Sequence, residues 1–129
     1  MTEISPDSLS HLVPLDLTDV SPSTLSSAFL LHGVVTVKWP YSSTAETLTF
    51  VLADPDPRKR ASGGQVKITL LGPSAEFLDQ IECGDELSIA PPTDTIPSIE
   101  EEYDSPRLKW HLEFHQGCLL IVLSFFHHG

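Results

Sequence analysis

Leu31-His-Gly-Val-Val-Thr-Val-Lys-Trp-Pro-Tyr41 reads as a β-strand with a glycine in its interior and a Lys-Trp-Pro-Tyr corner at its end. Side chains alternate across a strand, so Val35, Val37 and Trp39 share one face and Val34, Thr36 and Lys38 the other. Gly33 predicts a bulge or sharp bend, which a small barrel needs in order to curl. Pro40 has no N–H to give a ladder and ends the strand, which runs over about residues 29–39.

Four more strand patterns follow. Glu46 to Ala53 points Leu48, Phe50 and Leu52 one way and Thr47, Thr49 and Val51 the other. Asp54-Pro-Asp-Pro57 stops it, and Arg58-Lys-Arg-Ala-Ser-Gly-Gly64 reads as a flexible basic loop. Gln65 to Leu71 sets Val66, Ile68 and Leu70 against Gln65, Lys67 and Thr69. Gly72-Pro73-Ser74 signals a short helix with Ser74 as N-cap and Phe77, Leu78 and Ile81 on its apolar face. After Gly84-Asp85 comes a fourth strand, Glu86 to Ala90, then a long acidic loop, Pro91 to Pro106. The fifth strand, Arg107 to His115, points Leu108, Trp110, Leu112 and Phe114 inward. The apolar run Cys118 to Phe126 either extends the sheet or closes the core.

Three strands, a short helix and two strands is the order of the oligonucleotide/oligosaccharide-binding (OB) fold, a five-stranded Greek-key barrel. The expected class is therefore all-β with one short helix, with a small β-sandwich as the alternative. Residues 1–27, rich in Ser, Thr and Pro, read as an extended, partly ordered arm, and residues 28–129 as one OB domain. The chain's 129 residues suffice for one such domain.

The net charge is −11, unevenly spread. Residues 1–37 hold four acids and no Lys or Arg. Residues 38–67 hold Lys38, Arg58, Lys59, Arg60 and Lys67 against Glu46, Asp54 and Asp56. Residues 68–106 hold ten acids and no Lys or Arg. Phosphate binding normally uses a basic footprint, and the one basic block holds the candidates for it. Arg58-Lys-Arg60 tracks a phosphate backbone or is a solvated loop tip. Glu100-Glu-Glu102-Tyr103-Asp104 is a solvated loop, a docking segment for a basic protein, or a guard against non-specific nucleic acid. Cys83 and Cys118 have neither metal-ligand nor disulfide-framework spacing. His111 and His115 share a strand face without further ligands, so no metal or other cofactor is expected. No catalytic motif is present, and an enzyme is not expected. No apolar run spans a bilayer and no signal peptide is evident, so the chain reads as intracellular with no membrane partner.

Leu31 to Ser43, then Val51-Leu-Ala-Asp-Pro-Asp56, Gly64-Gln-Val-Lys-Ile-Thr-Leu-Leu71 and Gly84-Asp85, resemble the telomeric single-stranded DNA-binding OB domain of protection-of-telomeres proteins. The resemblance covers roughly residues 12–116. It implies non-catalytic binding of the G-rich overhang, in the nucleus at chromosome ends, alongside other telomere-complex proteins. On that resemblance Lys38, Trp39 and Tyr41 match the basic-aromatic corner that touches DNA, and Lys67 lies on the binding face. Trp39 otherwise packs in the core with Val35 and Val37. The outward faces of the second and third strands carry no aromatic ring. A second expectation is therefore an OB-fold protein-interaction module of a telomere or replication complex.

Overall fold

A computed structural model describes residues 12–92, 94–102, 108–115 and 117–124. The strands are β1 (Val13–Pro14), β2 (Phe29–Lys38), β3 (Thr47–Ala53), β4 (Gln65–Leu71), β5 (Glu86–Ala90), β6 (Ser98–Glu101), β7 (Trp110–Phe114) and β8 (Leu119–Ser124). One helix, α1 (Pro57–Ala61), joins β3 to β4, and 3-10 turns occupy Leu17–Asp19 and Pro73–Leu78.

The pairings give the OB connectivity. β2, β3 and β4 form an antiparallel meander. β5 returns to pair antiparallel with β2, and β7 lies parallel to β4. Three short strands add to these five. β1 runs parallel to β2, β6 covers the far edge of β7, and β8 covers the far edge of β5. The path β6-β7-β4-β3-β2-β5-β8 is a curled half-barrel.

Period-two alternation places the core where it was expected over most of the sheet. Leu48, Phe50, Leu52, Val66, Ile68, Leu87, Ile89, Leu112 and Phe114 are buried on the concave side. Leu17 and Val20 from the N-terminal arm join them. The apolar run after Cys118 extends the sheet as β8.

Five expectations need correction. Ser74 is not the N-cap of the turn after β4. That turn is 3-10, begins at Pro73 and has Gly72 at the cap, with φ of 107°. Proline favours the first helical position and glycine tolerates the positive φ before it. The basic loop contains helix α1, because Asp56 accepts from the Arg58 N–H at 2.9 Å and Pro57 starts the turn. The acidic loop contains β6, whose Ile99 lies opposite Leu112. The fifth strand is shorter than predicted, Trp110–Phe114.

The fifth correction concerns β2. Val35 opposes Leu52, but Val37 opposes Val51, so a β-bulge at Thr36 breaks the alternation. The turn at Gly84-Asp85 fastens the bulge: Gly84 N–H donates to Val35 O at 2.7 Å and Val35 N–H to Asp85 O at 2.9 Å. An extra residue flips the faces of everything after it. Val35 stays in the core, while Val37 and Trp39 turn outward and are 45% and 41% exposed.

Candidate nucleic-acid interface

The outward face of the meander is built by register. Thr49 opposes Thr69, Val51 opposes Lys67, and across the parallel β4–β7 pair Lys67 opposes His111 and Thr69 opposes Glu113. Trp39 joins this face just past the end of β2, where its N–H donates to Thr49 O at 2.9 Å. The Lys67 ammonium lies 5.1 Å from the centre of the Trp39 ring, a cation–π distance. Two of the residues expected to bind DNA are thus brought together.

A row of polar groups crosses the three strands beside them. The Thr49 and Thr69 hydroxyls are 3.0 Å apart, and Thr69 Oγ1 lies 2.7 Å from His111 Nε2. Burial first, and the Lys67 charge next, hold the His111 imidazole below its ordinary 6.5. Alternation with the inward Trp110 and Leu112 sets His111 on the other face of β7; its link to Thr69 depends on the parallel register, which sequence does not announce.

The other candidates are held elsewhere. The bulge turns Lys38 off this face, and its ammonium pairs with Asp79 at 3.0 Å. Tyr41 is half-buried and packs against the core at the start of the β2–β3 loop. Desolvation, then Glu76, Glu46 and Asp79, raise its phenol above the usual value. Lys59 pairs with Asp16 at 3.1 Å, and Arg60 Nε donates to Asp54 O at 2.6 Å. Arg58 is exposed on α1. This cluster lies beyond the C-terminal end of β3, an end that is itself about 13 Å along the strand from Thr49 at the usual rise per residue.

The acidic segment extends the sheet at its β7 edge. β6 sets Glu100 opposite His111 and Ser98 opposite Glu113. Glu102 follows, its N–H donating to Lys109 O at 2.9 Å, and its carboxylate reaches Lys67 Nζ at 3.0 Å. Both members of the pair are well covered, with side chains 18% and 6% exposed. Tyr103 and Asp104 lie outside the described residues. Among the described residues no cluster of His, Cys, Asp or Glu is placed to hold a metal. No described helix is long and apolar enough to cross a membrane.

A family model described as "Domain of unknown function (DUF8502)" matches residues 8–125. The chain belongs to that family. No curated protein matches it. Among solved structures, this DUF8502 chain is similar to the solution NMR structure of the OB domain of MM0293 from Methanosarcina mazei. The two are 18% identical with a TM-score of 0.48, over 74% of this chain and 72% of that one. The strand order and pairings described above establish the OB fold of this member of the family.

Proposed function

We propose that this OB domain is a non-catalytic binder of single-stranded DNA, and that its ligand is the G-rich telomeric strand at chromosome ends in the nucleus. The observation that carries the reading is Trp39, an exposed indole on the outward face of the meander, held against Lys67. Every base has a π-face, and stacking on an aromatic ring contributes about 1–3 kcal/mol per base. The telomeric strand comes from the resemblance of the Leu31–Ser43 corner and the later segments to protection-of-telomeres proteins. Lys38, Lys59, Lys67 and Arg60 already have partners within the chain, so few cations can meet phosphates without rearrangement. Binding by this face would rest on stacking and on the Thr49–Thr69–His111 row more than on charge. A shallow salt dependence follows, since each phosphate contact on a single strand adds only about 0.7 to the slope.

The test is fluorescence anisotropy with labelled G-rich telomeric, scrambled and duplex DNA. Trp39→Ala should weaken binding to the G-rich strand about 5- to 100-fold. Equal binding by wild type and this variant, or no binding by wild type at low salt, would refute the reading. A second reading, a protein-interaction module in a telomere or replication complex, is favoured by the acidic β6 strand with its exposed Glu100 and Glu101. A basic partner lost on replacing both glutamates with Ala, with DNA never bound, would establish that one instead.

A further inference from the structure

The chain carries its own competitor for the face on which the proposed function rests. Lys67 is the cation at the centre of that face, beside Trp39 and opposite His111. Its ammonium already has an anion, the Glu102 carboxylate at 3.0 Å. This is not a loose surface pair. The Glu102 side chain is 6% exposed, its backbone is tied to Lys109 O at 2.9 Å, and β6 just before it is registered on β7 through four residue pairs. On the outward side the same strand adds Glu100 next to His111. An incoming phosphate would meet a carboxylate where it needs an ammonium.

We propose that Ser98–Glu102 is an acidic strap that occupies the phosphate position of the nucleic-acid face and must release Lys67 before a strand can bind. The carboxylate is intramolecular, so it competes at high effective concentration whatever the protein concentration. A polyanion with nothing to offer but charge gains little by displacing it. A strand that also stacks a base on Trp39 gains the stacking energy at the same time. The strap therefore discriminates by rejecting non-specific partners more than by attracting the right one. This gives the acidic residues of the strap a function at the site.

Glu102→Gln keeps the shape and removes the charge; Glu102→Ala removes both. Each is titrated, with wild type, Trp39→Ala and the double variant Lys67→Met/Glu102→Gln, against labelled G-rich telomeric and scrambled single strands over a range of salt. Circular dichroism confirms that each variant is folded. Freeing one ammonium should steepen the salt slope by about 0.7 and tighten binding about fivefold at 0.1 M salt. The scrambled strand should gain at least as much as the G-rich one, and the double variant should lose the gain. If wild type binds and Trp39→Ala weakens it, but both Glu102 variants keep the wild-type affinity and slope, the strap is refuted and the DNA-binding reading survives. If no variant binds any strand, both fall.

Discussion

Replacing Gly33 with Ala tests how the half-barrel bends. Gly33 is buried in β2, opposite Leu87 of β5 and one residue before Val34, which pairs with both Glu86 and Ala53. A Cβ built there would lie 2.6 Å from Ala53 O, 2.9 Å from Leu52 Cγ and 3.1 Å from Leu17 Cδ1. The first contact is with backbone fixed in the β2–β3 ladder, so neither a rotamer change nor a flexible tip relieves it. Overpacking of this kind costs typically 1–3 kcal/mol. The lost freedom of the unfolded chain returns about 0.5–1 kcal/mol. The net expectation is a loss of about 1–2 kcal/mol, or roughly 4–10 °C in Tm for a domain of this size. Thermal and urea melts followed by circular dichroism measure it, and Gly33→Val should cost more than Gly33→Ala. A Gly33→Ala protein melting within a degree of wild type would refute the close approach of β2 to Ala53 and the argument built on it.

Other perturbations probe the site and its supports. The Thr18 backbone N–H, then the Thr18 hydroxyl and Lys59, hold the Asp16 carboxyl below 3.8. A lowered folded value stabilises above the unfolded value and is lost as pH falls through the folded one. Asp16→Ala should therefore cost about 0.5–1 kcal/mol at pH 7, and the difference from wild type should shrink on acidifying below pH 4 in urea melts. The His111 ring should titrate below 6.5 by NMR, and Lys67→Met should move it up by removing a repelling charge. Because an unfolded His111 binds its proton more readily, its contribution to stability should fall as pH drops through 6.5. Burial pushes the Cys118 thiol up to about 12, whereas Cys83 is exposed. A thiol reagent at pH 8 should label Cys83 quickly and Cys118 only on unfolding, seen by peptide mass.

The sequence reveals most where alternation is unbroken. β3 and β4 carry their inward residues at every second position, and the strand order then leaves the OB arrangement as the natural fold. The parity of the Lys-Trp-Pro-Tyr corner is hidden because a bulge adds a residue without any side-chain signature at Thr36. Gly33 signals a bend, but the alternation is broken three residues later. The helix in the basic loop has a local signature, Asp56 before Pro57, but the same residues are equally a strand stop. β6 has only Ile99 as an apolar anchor and takes its place from pairing with β7. The Lys67–Glu102 contact spans the register of two strand pairs, and nothing local to either residue encodes it.

The bulge makes chain position and surface position separate coordinates. Before Thr36 an odd-numbered residue of β2, such as Leu31 or Val35, points into the core; after it Val37 and Trp39 point out. Losing that single residue would exchange the indole and the ammonium of the corner while leaving both side chains in the sequence. When relatives are compared at this corner, a shared Lys-Trp pair is informative only if the number of residues back to Val35 is shared as well.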